Sequence, residues 1–577
     1  MKSLEPTTEL RYFKGDAFEV HLKALHAPAQ SHGAFPQVEP GSAVHGGIRV
    51  DRDVAVAMRD GATIYVDIYR PDGVQDIPAI VAWSPYGKRI GYAAPLTVPG
   101  VPAGTLSSGT KLEGPDPDYW CRRGYAVVNP DARGAGYSQG VLQILSNQEG
   151  RDAADLVEWL AAQSWCNGRI GMAGNSWLAM SQWMTAAERP KHLACIAPWE
   201  GATDLYRQLF YQGGIQEIGF SRFLASFLVG AGMGEDIAAN FDAHPFYDAY
   251  WREKVADLKQ IEVPAYITAG WSHFHLLGSI DAFRRIGSDA KWLRIHREFE
   301  WPDFYAPENL NDLCRFFDRY LKGHHNGWEL TPRVRIDVMD RGDRDHALRR
   351  AELDFPLPDT RYRKLFLDAS NATLTEVAPT SPTKMMYDAV AGQANFDFVF
   401  DCDTELTGYF KIRLWVEALE ADDLDLFVAV QKADAAGNVV PTFVIGQPHP
   451  GAPGLLRASH RKLDEQRSTD IEPVHLHVEQ QMLLPGEIVP VEIAIWPTSR
   501  LWRAGERLRI AISGHYLREP GWFEPFAWDL RNTGNHVIHT GGEYDSYLLI
   551  PEIKHPRSVV PGRSITSDTL HALHPHD

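Results

Sequence analysis

The residues best suited to chemistry lie in Arg169-Ile170-Gly171-Met172-Ala173-Gly174-Asn175-Ser176-Trp177-Leu178-Ala179-Met180. An apolar run enters a turn of small residues and leaves it as a helix through Ser181-Gln182-Trp183-Met184. A serine on a sharp strand-to-helix turn is lifted above the edge of its sheet. Gly174, two residues earlier, gives the backbone clearance such a turn needs. The helix start offers an unused N–H to a developing oxyanion, so the chemistry expected is attack by the Ser176 hydroxyl on an acyl carbon. The pattern departs from G-x-S-x-G, because Leu178 fills the fifth place and the small Ala179 comes one later. The alternative is an ordinary strand–turn–helix with Ser176 as its N-cap.

The elements that must position this serine read as alternating strands and helices, the pattern of a largely parallel α/β sheet. Residues 1–47, with Pro28, Pro36 and Pro40, read as an N-terminal arm lying on the body. The sheet domain is expected in two parts, 48–200 and 256–350. Its first part opens with a hairpin around Asp60-Gly61, followed by the buried strand Ala79-Ile80-Val81-Ala82-Trp83, which ends in Ser84-Pro85-Tyr86-Gly87-Lys88. The glycine-rich stretch 129–140 reads as a tight βα loop, since no Walker lysine or dinucleotide spacing follows it. Residues 152–162 carry helical apolar spacing. Residues 201–255 are aromatic-rich and without strand runs, and predict a helical cap. Lys291-Trp292-Leu293-Arg294-Ile295 reads as the last strong strand, with a closing helix over 313–321. From 351 to 577 the period changes to two with turn residues between runs, which predicts an all-β sandwich or jelly roll.

Bulk properties narrow the function. A chain of 577 residues exceeds one core. With 57 basic against 75 acidic residues the net charge is −18, which argues against nucleic-acid or anionic-membrane binding. The cysteines Cys121, Cys166, Cys195, Cys314 and Cys402 are scattered and odd in number, so neither a disulfide framework nor a structural zinc site is expected. The N-terminus lacks a signal-peptide core and no window reaches membrane-span length; the cytoplasm is the expected address. The expected partner is a small ester or amide substrate, with no cofactor, and formation of a homo-oligomer is left open.

With these pieces in order the sequence resembles the CocE/NonD hydrolases, the serine hydrolases grouped with cocaine esterase and X-Pro dipeptidyl-peptidases. The markers are Met58-Arg59-Asp60-Gly61, Ser84-Pro85-Tyr86-Gly87-Lys88, Asp131-Ala132-Arg133-Gly134-Ala135-Gly136-Tyr137-Ser138, Trp165-Cys166-Asn167-Gly168 and Gly174-Asn175-Ser176-Trp177-Leu178-Ala179. Further along stand Phe317-Asp318-Arg319-Tyr320-Leu321-Lys322-Gly323, Leu484-Pro485-Gly486-Glu487, Trp496-Pro497-Thr498-Ser499 and Arg531-Asn532-Thr533-Gly534. The resemblance implies an α/β-hydrolase domain with a helical cap insertion and a C-terminal jelly roll. It implies Ser176 as nucleophile, and Tyr86 with the Trp177 N–H as the oxyanion donors. Asp204 matches a family aspartate but reads as a cap of the following helix.

The base and acid depart from the family pattern. Gly270-Trp271-Ser272-His273-Phe274-His275 stands where relatives carry the catalytic aspartate, and His296-Arg297-Glu298-Phe299-Glu300 where they carry the histidine. In ungapped register His273 falls at the acid's place and Glu300 at the histidine's. Three arrangements follow: His273 as base with Glu300, His273 as base with Glu200, or His296 as base supported by Glu200 or Glu298. His273 is favoured, because the loop after an adjacent strand reaches over Ser176. His273 and His275 could instead face one side of a sheet end or ligate a metal, although no third ligand is evident. The expected activity is hydrolysis of an ester or amide through an acyl-enzyme, ester before peptide. The rivals are a non-catalytic ligand- or carbohydrate-binding protein on a hydrolase scaffold and, third, a metallohydrolase.

Overall fold

Eight strands form the central part of the sheet that carries Ser176: β1 (Ile48–Ala57), β2 (Thr63–Pro71), β3 (Ile77–Val81), β4 (Ala126–Pro130), β5 (Cys166–Asn175), β6 (Leu193–Trp199), β7 (Ala265–Gly270) and β8 (Lys291–His296). They come from a computed structural model that describes residues 5–28, 35, 37–89, 98–341, 344–518 and 525–554. Pro36 of the arm and residues 555–577 of the expected C-terminal domain lie outside the described residues. Across the sheet the order is β1-β2-β4-β3-β5-β6-β7-β8. β2 pairs antiparallel with both neighbours and every later pair is parallel. Strands β3, β4 and β7 are buried along their whole length, which explains their unbroken apolar sequence. Gly61 (φ 89°) takes the left-handed turn of the β1–β2 hairpin.

Helices cover the sheet. The helix Trp177–Ala187 is buried on nearly every side, and Asn147–Ala161 packs against it so closely that a Cβ on Gly150 would sit 2.6 Å from the Met184 carbonyl. Leu276–Arg285 follows β7, and Glu300–Tyr305 and Pro307–Leu321 follow β8.

The structure corrects the sequence expectations at the sheet edge and in the insertion, and adds detail to the arm. The sheet does not end at β8: the strand Val334–Arg341 runs parallel to it and pairs antiparallel with Arg344–Glu352. Val334, Ile336 and Val338 are fully buried there, an alternation that belongs to a strand. The arm is itself partly sheet. Its strands Thr7–Phe13 and Asp16–Ala24 form a hairpin, and Gly41–His45 pairs with β1. The 201–255 insertion is built of short helical segments, but it also contributes the strand Met233–Glu235, which the arm's second strand recruits. Three residues are too few to show a period. No described helix is long and apolar enough to cross a membrane.

The C-terminal region is β-rich, as its period of two predicts. Its longest pair, Thr404–Ala418 with Ile488–Trp502, is antiparallel with one irregularity next to Gly408. The insertion is wedged against it, with Gly213 so close to the Leu455 carbonyl that a Cβ would come within 2.1 Å.

Candidate active site

Ser176 sits at the sharpest backbone feature of the sheet. Its φ of 52° and ψ of −115° lie outside the regions an L-residue prefers, so the turn holds it under strain. Its N–H is taken by the Glu200 carbonyl at 2.9 Å. Gly174 has φ 134°, and a Cβ there would meet Leu178 Cδ2 at 2.5 Å and the Glu113 carbonyl at 2.8 Å, which is why the turn needs glycine at that place. Leu178 in the fifth position is tolerated because its side chain turns into the core, fully buried. Trp177 opens the helix, and its N–H belongs to the first turn, where amides have no intrahelical acceptor.

Tyr86 reaches the same point from the loop after β3. Its hydroxyl stands beside the Ser176 side chain, and its ring meets the Trp177 indole edge-on at 5.9 Å. Burial, with the nearby charges of Glu113 and Glu300, pushes the phenol well above its usual range, so it stays protonated and able to donate. The loop is anchored by the buried Lys111, whose Nζ donates to the Ser84 and Pro130 carbonyls at 3.1 and 2.7 Å.

The imidazole on Ser176 is that of His275, with Nε2 at 3.1 Å from Oγ. His273, the favoured base in the sequence reading, lies one step behind, its ring centroid 5.1 Å from that of His275. The physical reason is the tight turn after β7. His273 N–H bonds back to the Gly270 carbonyl, which directs its side chain toward Glu200, and His275 then takes the position just before the helix Leu276–Arg285 and faces Ser176. Burial and the neighbouring charge of His273 hold His275 well below the usual imidazole range, so it is neutral.

Glu200 stands at the end of β6 with φ 63° and is fully buried. Its Oε2 lies 3.0 Å from His273 Nδ1 and its Oε1 2.9 Å from His296 Nε2, ion-pairing distances in which neither contact is aligned as a hydrogen bond. Burial would raise its carboxyl, but the charges of His273 and His296 outweigh that and hold it below the ordinary carboxylate range. His273 Nδ1 is also approached by the His275 N–H at 3.3 Å.

His296 is turned away from Ser176. Beyond Glu200 its Nε2 meets Asp303 Oδ2 at 3.2 Å; burial works against its charge, yet the two carboxylates raise its pKa. Asp303 in turn pairs with the buried Arg294. Glu300 is fully buried, 3.9 Å from His273 Nε2, and its main-chain carbonyl accepts from Asn175 Nδ2 at 3.2 Å. Ser176, Tyr86, Trp177, Glu200, His273, His296 and Glu300 are therefore brought to this one cluster above the strand ends, whereas Glu298, the other carboxylate considered for His296, is exposed and lies 3.6 Å from Arg297. What the sequence did not reveal is the order of the two histidines, and Glu113. Glu113 lies beside Tyr86 on a loop with no motif, and burial lifts its carboxyl to about 8 against the Trp301 indole N–H. Asp204 accepts from the Arg207 N–H at 3.1 Å, as a cap does.

Comparison with known proteins agrees with this architecture. Residues 60–233 match the X-Pro dipeptidyl-peptidase (S15 family), and residues 326–549 match the X-Pro dipeptidyl-peptidase C-terminal non-catalytic domain. Cocaine esterase from Rhodococcus sp. is 26% identical over an alignment that covers 89% of this chain and all of that protein. A CocE/NonD family hydrolase of known structure from Staphylococcus aureus is 36% identical, with a TM-score of 0.82 over 88% of this chain and 94% of that one. An α-amino acid ester hydrolase shares the fold alone, at 16% identity and a TM-score of 0.67 over 90% of this chain and 99% of that one. The chain belongs to the CocE/NonD family of hydrolases.

Proposed function

We propose that the protein is a serine esterase in which Ser176 is the nucleophile and His275 the general base. The observation that carries this reading is the 3.1 Å contact between His275 Nε2 and the hydroxyl of a serine held at φ 52°. Nε2 takes the hydroxyl proton as Oγ attacks the acyl carbon, and the oxyanion that forms meets the Tyr86 hydroxyl and the Trp177 N–H. His275 returns its proton to the departing alcohol. Water, deprotonated by the same imidazole, then cleaves the acyl-enzyme to carboxylate. The Glu200 charge behind His273 favours the imidazolium of these steps. The likeness to cocaine esterase makes an ester the expected bond. The β-rich C-terminal region is taken as a jelly roll and the cytoplasm as the compartment, on the sequence grounds above.

One observation favours a second arrangement. His273 has the carboxylate on Nδ1 that a base ordinarily needs, and its Nε2 has no hydrogen bond among the described residues, whereas His275 Nδ1 has none either but also no carboxylate. Hydrolysis of p-nitrophenyl esters by the wild type and Ser176→Ala tests the reading. Loss of turnover and of fluorophosphonate labelling in the variant is expected, and retained turnover in folded Ser176→Ala would overturn it.

A further inference from the structure

We propose that Glu149 is a positioning residue that fixes both oxyanion donors through two tryptophans; the inference rests on the assignment of Ser176, Tyr86 and Trp177 above. The helix Asn147–Ala161 starts at Ser146, whose Oγ accepts the Glu149 N–H at 3.3 Å. Ser146-x-x-Glu149 is the spacing of a capping box, in which the glutamate would turn back to the cap residue. Here Oε1 turns inward and accepts two indole N–H groups, from Trp83 at 3.0 Å and from Trp177 at 2.7 Å.

The two tryptophans belong to the two halves of the oxyanion site. Trp83 leads directly into Ser84-Pro85-Tyr86, and its carbonyl is held by Ser181 Oγ at 3.1 Å. Trp177 supplies the N–H donor from its backbone and packs its indole on the Tyr86 ring. One carboxylate oxygen thus sets the spacing between the loop of one donor and the residue that gives the other. Both indoles are buried, Trp83 fully and Trp177 to 1% exposure, so without an acceptor each N–H would be left unsatisfied in the core. Burial raises the Glu149 carboxyl to about 7 while the two indole donors oppose it. A core needing only to seat two tryptophans has no use for a group so costly to bury.

The test compares Glu149→Leu and Glu149→Gln with the wild type, with rates referred to active sites titrated by fluorophosphonate. Glu149→Leu is expected to lower kcat by about 10- to 100-fold with KM changed by less than about three-fold. The affinity of a boronic acid that forms a tetrahedral adduct on Ser176 should fall by the same factor as kcat. Glu149→Gln keeps an oxygen that can accept from both indoles and should recover most of the loss. Should Glu149→Leu fail to fold, Trp83→Phe, which removes one donor and keeps the carboxylate, is expected to show the same fall in kcat and in boronate affinity. Wild-type kcat and boronate affinity in folded Glu149→Leu, or in Trp83→Phe in its place, would overturn the proposal, as would an equal loss in Glu149→Leu and Glu149→Gln. Tyr86→Phe and Ser176→Ala run alongside. If those two also keep turnover, the hydrolase assignment itself fails; if they lose it while Glu149→Leu does not, only the role of Glu149 falls.

Discussion

His275 Nε2 lies 3.1 Å from Ser176 Oγ, while the buried carboxylate Glu200 is 3.0 Å from the Nδ1 of a different histidine, His273. In the proposed mechanism the base and the supporting carboxylate therefore sit on successive layers, with the His273 imidazole between them. The arrangement separates the group that moves the proton from the group that stabilises the resulting charge, and each layer can be tested by itself.

The oxyanion site comes first. Tyr86→Phe keeps the ring against Trp177 and removes only the hydroxyl, so kcat for p-nitrophenyl esters should fall by about 10²- to 10³-fold with little change in KM. An unchanged kcat would take Tyr86 out of the chemistry.

The pH profile follows from His275. Burial and the His273 charge hold it below the usual imidazole range, so the base stays free as the pH falls through 6.5, its ordinary value. The acid limb of kcat/KM should then have its midpoint below that value. Linkage has the matching sign. Below 6.5 the unfolded chain binds a proton at this site that the folded one refuses, so this group's contribution to stability is complete above 6.5 and is lost progressively as pH falls from there toward the lower folded value. An acid limb with its midpoint above 6.5 would contradict the assignment.

Glu200 neutralises two histidines from one buried point. Glu200→Gln leaves His273 with only the more distant Glu300 and His296 with Asp303 alone, and removing one partner of a buried ion pair costs about 3–5 kcal/mol. Denaturant unfolding should show a loss of that order. A variant as stable as the wild type would mean that the three groups are not charged together.

The fold was legible because its signals are local. The hairpin at Asp60-Gly61, the unbroken apolar strands β3 and β7 and the small-residue turn before Ser176 are each set by neighbours in sequence. Short elements escaped. The strand Met233–Glu235 exists because Asp16–Ala24 pairs with it across more than two hundred residues, and nothing in its three residues announces that. The site shows the same division. Ser176 could be named from its turn and Glu200 from the end of its strand, while Tyr86 and Glu300 were named through the resemblance to the family. Which of His273 and His275 meets Ser176 depends on how the loop turns after Gly270, since residues two apart take opposite roles when the chain leaves the strand for a helix. The proximity of Leu276 as a helix start was the available signal. Glu149 was hidden because a capping-box spacing reads as helix punctuation.

The most direct test is to measure kcat for p-nitrophenyl ester hydrolysis in His275→Ala beside His273→Ala, with folding of both verified by circular dichroism and thermal unfolding. The contact with Ser176 predicts a loss of about 10²- to 10⁴-fold in His275→Ala, with His273→Ala at least about ten-fold more active than it. The reverse order, with His273→Ala the inactive variant and His275→Ala near wild type, would contradict the assignment of His275 as the base.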